Sequence, residues 1–387
     1  PYTLKVYQQW LERKYGNIQT LNKIWHRYSY TNFSQIGPPP ELSLYPESID
    51  WIEFRKENFY EQMQWRIDTI RSIDSKNLIT AHGTADTMSV KACVRGHDDW
   101  LAASKVQIYG YTFVPSRRGN EAWKAFHAGD LTRCASEEKS FWHAETQGGP
   151  LWLQPQVWGR SRHDGRISSP SDIRQWNLTS VMCGARGLLN PRWRPLLDGP
   201  LFGAFGAYGM DGSRTPQSQM ASQMAKWFND PKQRDLLQAF PIRGEIGILY
   251  IPEAQIASQL ISKEGEVDLY PKAMKGSYKG FFDNNIQADY VHIKDINKYD
   301  FLYMPFPIMI ENDHAKSLMK WVEQGGTLIS ESCPAYFTEG CTVGLHQPAQ
   351  QFYKLFGAEQ ENVEFMPDLM HNFYFTMGNQ KVYGGWF

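Results

Sequence analysis

The sequence predicts an α/β chain in two parts: the C-terminal half of a (β/α)8 TIM barrel over residues 1–235, then a flavodoxin-like doubly wound domain over 240–387. Three observations carry this. Short apolar runs alternate with stretches of helical period, which means parallel strands joined by right-handed crossovers. Polar and aromatic residues gather just after each run, where a barrel collects its functional loops. A composition change at Phe240-Pro241 opens a second, shorter alternation.

Residues Tyr2 to Tyr15 read as an amphipathic helix, with Leu4, Tyr7, Leu11 and Tyr15 near helical spacing and Gly16 as its stop. A Pro-rich connection at Gly37-Pro38-Pro39-Pro40 leads to a second helix pattern from about Ile49 to Ile73. Strands are expected at Asn77–Ala81, Lys105–Gly110, Ser140–Ala144 and Ala185–Asn190. Helices are expected near Gly119–Ala128, Pro170–Met182 and Pro216–Phe228. Four such strands cannot close a barrel, and an open half exposes parallel edges. The sequence also opens inside a helix pattern, so the reading expects the N-terminal half of the barrel to lie outside it. In the second part, strands are expected at Glu245–Ile251, Ala288–Ile293, Asp300–Pro305 and Thr327–Ser330. A helix over Asn312 to Glu323 precedes the last of these, and Gly325-Gly326 reads as its C-cap. No G-x-G-x-x-G fingerprint occurs, so no dinucleotide site and no cofactor are expected. The run Gly384-Gly385-Trp386-Phe387 reads as an interrupted end.

Composition narrows the partners. A formal net charge of -1 argues against nucleic acid or an anionic membrane as the main partner, because phosphate binding needs a basic surplus. An aromatic share of 14% suits a neutral ligand with flat apolar faces, and equally suits large cores. The cysteines (Cys93, Cys134, Cys183, Cys333, Cys341) are odd in number and form no CxxC pair, so neither a disulfide framework nor a zinc site is signalled. No H-E-x-x-H spacing appears, and no metal is expected. No run reaches the ~18 apolar residues of a membrane span. Localisation stays open.

The most informative segment is Ser140 to Pro150. A short apolar run delivers a lone carboxylate, Glu145, and breaks at once into Gly148-Gly149-Pro150, which stops the strand where the acid emerges. Trp142, Trp152 and Trp158 flank it. Aromatic rings around a fixed carboxylate suit a sugar, whose C–H faces stack while its hydroxyls seek polar partners. His82, Tyr111 and Arg192-Trp193-Arg194 follow other strands and are candidate sugar ligands, with Asp198 nearby. His82 could instead be a packed barrel-top histidine, and Arg192 and Arg194 could be ion-paired at the rim. His143 is expected in the core by strand alternation. Arg160, Arg162, His163 and Asp164 form a polar loop, read as solvated rather than as a cover over the site.

These residues resemble the family-42 glycoside hydrolases, β-galactosidase-like barrel enzymes. Trp10-Leu11-Glu12-Arg13-Lys14-Tyr15-Gly16 and Leu21-Asn22-Lys23-Ile24-Trp25 are similar to the family's segment after barrel strand four. Phe141 to Gly149 resembles its nucleophile strand, and Gly184-Ala185-Arg186-Gly187 through Trp193-Arg194 its last barrel strand. Phe301 to Glu331, with Trp321-Val322-Glu323-Gln324-Gly325-Gly326, resembles its flavodoxin-like trimerisation domain. The resemblance implies a retaining mechanism with Glu145 as nucleophile, and a second carboxylic acid about 5 Å away. That acid follows an Asn at the end of strand four and is expected upstream of residue 1, since Glu12 lies on a helix face. Trp152 matches the family's sugar-stacking tryptophan. The family's Glu and His anchors for galactose are missing from Gly199 to Gly206, so a different sugar, such as a β-mannoside, is expected. The competing expectation is a silent sugar-binding scaffold of the same fold. The second domain, with Phe337, Phe352 and Tyr353 read as exposed, is expected to assemble a homotrimer.

Overall fold

The computed structural model describes residues 2–85, 87–89, 92–115, 121–137, 139–149, 168–199, 203–262, 269–361 and 374–383. Three helices open the chain: α1 (Tyr2–Tyr15), α2 (Ile18–Trp25) and α3 (Pro46–Arg71). Asn17 starts α2 by accepting the Thr20 amide, and Pro46 sits in the first turn of α3, where its missing N–H costs nothing. Tyr7, Trp10 and Leu11 of α1 pack on Leu21, Trp25 and Phe54, while Leu4 stays exposed, so the buried face is centred one position from the expected stripe. Each large side chain buried there contributes about 2–3 kcal/mol.

A parallel sheet follows, in the order β1 (Thr80–Gly83), β2 (Ile108–Phe113), β3 (Phe141–Thr146), β4 (Gly187–Leu188). The first two strands begin about three residues later than the apolar runs imply. Side chains take the backbone groups that a ladder would have paired: Arg71 Nη1 donates to the Asn77 carbonyl at 2.6 Å, and the Ile79 amide donates to Gln107 Oε1 at 2.9 Å. Helices Ala122–Ser136 and Pro170–Met182 back this sheet, the second started by a reciprocal Ser169–Asp172 capping box.

The second sheet is also parallel, ordered β6 (Ala288–His292), β5 (Ile246–Tyr250), β7 (Phe301–Met304), β8 (Thr327–Ser330). The first strand in sequence lies inside the sheet, and the chain winds outward from it in both directions. That is the doubly wound order expected. Gly325 adopts φ +105° after helix Asn312–Glu323, and the Gly326 amide reaches back to the Trp321 carbonyl at 3.2 Å, the glycine cap read from the sequence. A hairpin at Tyr374–Met377 and Gln380–Tyr383 was not foreseen.

One apolar cluster runs through both sheets, joining Tyr111, Leu131 and Phe141 to Ile248, Tyr250 and Tyr290. Buried charge crosses the same seam. Arg133 bonds Asp289 at 2.6 Å and Asp130 at 3.3 Å, and the Tyr278 hydroxyl donates to Asp130 at 2.6 Å. Phe352 is fully buried in this core and Tyr353 and Phe337 are half-buried, which corrects the expectation of an exposed aromatic patch. Helix Phe352–Phe356 folds the first of them inward. No described helix is long and apolar enough to cross a membrane.

Candidate active site

Glu145 reaches the site through a register slip. Tyr111 pairs with His143, but the next pair is Thr112 with Glu145, so Ala144 is passed over. Strict alternation would have put Glu145 on the face of His143, which packs against the backing helix: its Nδ1 lies 2.7 Å from Ser180 Oγ. The extra residue turns Glu145 to the opposite face, beside Thr112, whose hydroxyl donates to Oε2 at 3.0 Å. Bulges recur beside functional sites for this reason, because they re-aim one side chain without moving the rest of the strand.

His82 stands on the same face. It lies within β1 rather than after it, and its Nε2 is 4.0 Å from Glu145 Oε2. That is beyond a hydrogen bond, and it leaves the two side chains facing one another across the same accessible surface. Both side chains are reachable, with His82 about half exposed and Glu145 at 35%.

The loop after Glu145 packs on the loop after β4. A Cβ on Gly149 would sit 1.9 Å from the Gly206 carbonyl oxygen, so only glycine allows this approach. Gln147 holds the turn by donating to the Gly149 carbonyl and to Ser168 Oγ, both at 2.7 Å. The segment at 203–208 in turn binds 192–193, the Tyr208 amide donating to the Trp193 carbonyl at 3.2 Å. Trp193 is 67% exposed and stacks on Tyr208 with centroids 4.0 Å apart. The two rings form a flat platform. Arg192 and Arg194 are exposed, and among the described residues neither guanidinium has an ion-pair partner, so they do not form the expected alternative of rim ion pairs.

Tyr111 requires correction. It lies inside β2, is 2% exposed, and stacks on His143 with centroids 4.3 Å apart. Because β2 runs three residues further than the apolar pattern implies, Tyr111 falls on the helix-facing side instead of at the strand's end. It belongs to the core. His143 is buried as expected. Burial lowers its pKa to about 4, opposed by its bond to the Phe113 carbonyl, so the ring is neutral at ordinary pH. Trp152, Trp158 and the loop Arg160–Asp164 lie outside the described residues, as do 200–202 within the galactose-anchor stretch.

Thr112 was missed because a threonine inside an apolar run carries no signal in sequence, and only the bulge brings it to Glu145. A cavity of about 410 Å³ lined by Asn177, Arg186, Leu188 and Asn190 does not include Glu145. No metal-ligating trio forms around Glu145 among the described residues. One does form elsewhere, at Glu253, Glu311 and His314.

Comparison with known proteins decides the family. A family model described as Beta-galactosidase, of glycoside hydrolase family 42, matches residues 1–199, and one described as Beta-galactosidase trimerisation domain matches 244–387. The chain belongs to glycoside hydrolase family 42. It is 20% identical over 335 residues to a β-galactosidase of Heyndrickxia coagulans, an alignment covering 83% of this chain and 47% of that protein. A family-42 β-galactosidase of G. stearothermophilus superposes with a TM-score of 0.83 at 19% identity, covering 97% of this chain and 56% of the other. One from Halorubrum lacusprofundi gives 0.80 at 18%, over 95% and 55%. An exo-carrageenase of the same family from Bacteroides ovatus gives 0.66 at 15%, over 90% and 48%. The chain spans about half the length of the relatives it matches. The two parallel sheets are therefore a family-42 arrangement, barrel strands followed by the doubly wound domain.

Proposed function

We propose that this chain supplies the nucleophile half of a retaining, exo-acting β-glycosidase, with Glu145 attacking the anomeric carbon. The observation that carries this is the register slip that sets Glu145 opposite Thr112, on the accessible face of a parallel sheet and at its C-terminal end. In that reading Glu145 forms a glycosyl-enzyme, and a carboxylic acid outside this sequence protonates the leaving oxygen and then activates water. The Thr112 hydroxyl orients the attacking carboxylate. His82, Arg192 and Arg194 bind sugar hydroxyls, and the Trp193–Tyr208 platform takes a C–H face, with Trp152 as a second stacking ring.

The sugar is proposed to be a terminal β-linked residue other than galactose, such as a β-mannoside. The stretch Gly199 to Gly206 offers neither of the family's galactose anchors, and leaving galactose hydroxyls without partners costs selectivity. The name of the Bacteroides ovatus neighbour supports a family with more than one substrate. We also propose a homotrimer, supported by the match of residues 244–387 to a trimerisation domain; light scattering giving a monomer mass would remove this part.

The decisive test is Glu145→Gln in the full-length enzyme, expected to lower turnover of aryl β-glycosides by at least about 10⁴-fold, with azide restoring a Glu145→Gly variant. Turnover by the Gln variant close to wild type would end the proposal. A nitrophenyl glycoside panel should rank β-galactoside low, and a clear preference for it would overturn the specificity.

A further inference from the structure

Glu253, Glu311 and His314 come from two segments 58 residues apart and meet at one point of the second sheet. Glu253 lies in the first turn of helix Pro252–Ile261, just beyond β5. Glu311 is the N-cap of helix Asn312–Glu323, which follows β7, and His314 is three residues further on. That Glu-x-x-His spacing puts both side chains on one side of the helix start. Strands β5 and β7 are neighbours at the point where the strand order reverses. A doubly wound sheet has its natural ligand crevice there, beyond the carboxyl ends of the strands.

We infer that Glu253, Glu311 and His314 form a binding site for a divalent first-row metal ion of the Zn²⁺ type.

The donor geometry is the first support. One ligand atom from each residue lies within 4.8 Å of the others, a spread that a single ion can draw onto itself. His314 Nδ1 already sits 2.6 Å from Glu253 Oε1, so a proton currently bridges two of the three ligand atoms. An imidazole with two carboxylates is a borderline donor set, suited to Zn²⁺ and its neighbours rather than to Mg²⁺ or Ca²⁺, which prefer oxygen alone.

Charge is the second support. Glu253 is 3% exposed. Among the described residues the Glu311 carboxylate has no hydrogen-bond donor and no ion-pair partner. The cation facing it, Lys14 of α1, is already held by Asp50 at 2.8 Å and Glu53 at 2.6 Å. Lys294 faces His314 and adds no attraction for that ring when it is protonated. Two carboxylates with a neutral imidazole carry a charge of -2, which a divalent ion balances. Three protein ligands leave a fourth position for water.

Nothing in this inference depends on the glycosidase reading, because the three residues are not among those around Glu145. The test is titration of the chelator-treated full-length protein with ZnCl₂, alongside Glu311→Gln and His314→Gln. Circular dichroism and thermal unfolding in chelator first establish that both variants fold. The expected result is one saturable equivalent per chain, with its affinity lowered at least about tenfold in each variant. Zn²⁺ held by surface cysteines or histidines would persist in both variants and is separated in that way. Co²⁺ added to the unmodified protein should give visible d–d absorption that His314→Gln abolishes. Absence of a saturable equivalent overturns the site, as does binding that both variants retain. Loss in His314→Gln alone removes Glu311 from the ligand set and overturns the three-ligand site.

Discussion

Among the described residues, the two parallel sheets have the same number of strands but treat their side chains differently. In β5 and β6 every residue but one terminal residue is buried, whereas β1 alternates exposed with half-buried positions and β4 is half-buried throughout. The inner strands of the second sheet spend their side chains on packing, with Ile248, Leu249, Tyr250 and Leu302 all within 1% of complete burial, while its edge strand β8 alternates exposed with half-buried positions as β1 does. The first leaves His82, Thr112 and Glu145 on an accessible face and compensates with a core on the helix side, where Tyr111, Phe141 and His143 lie. The contrast separates two tasks. One sheet is mainly packed, and the other leaves polar groups accessible at the proposed site, so substitutions should split into stability effects and activity effects along the same line.

The largest effect is expected where the sheets join. Arg133→Ala leaves Asp130 and Asp289 buried without their cation, which should cost about 3–5 kcal/mol in urea unfolding while leaving KM unchanged in whatever fraction remains folded. A loss under about 1 kcal/mol would mean that the sheets hold together without this pair. The next effect depends on pH. Burial holds His143 at about 4 in the folded chain, against about 6.5 when unfolded. Between those values only the unfolded chain binds the proton, so stability rises with pH and falls away as the pH drops from about 6.5 to about 4, by about 3 kcal/mol in all. His143→Gln should flatten the stability profile in that window by about one proton, whatever it costs at neutral pH. Parallel profiles would show that the ring takes up its proton without unfolding.

The same contrast explains what the sequence disclosed. Strand β8 and helix Asn312–Glu323 were legible to the residue, because a glycine pair marks both the end of the helix and the start of the strand, although β8 itself alternates exposed with half-buried positions. Strands β1 and β2 were displaced, because Arg71 and Gln107 pair with backbone that the apolar pattern assigned to the ladder. The position of Glu145 near the strand's end was legible from its isolation before Gly148-Gly149. Its orientation was not, since a one-residue slip against β2 leaves no trace in composition or periodicity. Tyr111 was misplaced because β2 runs three residues beyond its apolar pattern, and Thr112 was overlooked because only the slip brings it to Glu145. The cluster at Glu253, Glu311 and His314 was invisible because Glu253 lies 58 residues before Glu311 and only the strand order brings it to the other two.

Two smaller effects test the assignment of faces on a single strand. Thr112→Val removes a hydrogen bond to a carboxylate and keeps the volume, so in the full-length enzyme it should lower kcat about tenfold or more. KM should stay within about twofold if, as proposed, the hydroxyl serves the attacking carboxylate and not the bound sugar. A change in KM alone would make Thr112 a substrate ligand instead.

The smallest effect belongs to the next residue back. Tyr111 presents its ring to His143 and its hydroxyl to Ser180 at 3.5 Å, a distance at which little hydrogen-bond energy remains. Tyr111→Phe keeps the stack and the volume, so it should cost less than about 1 kcal/mol in unfolding and leave kcat and KM with aryl glycosides unaltered. The pair of variants is informative because Thr112 and Tyr111 are adjacent, and alternation sends them to opposite faces. An activity loss at Tyr111→Phe with stability intact would mean that its hydroxyl reaches the sugar. The register of β2 against β3 would then be shifted by one residue, and Glu145 would lose the partner on which its proposed role as nucleophile depends.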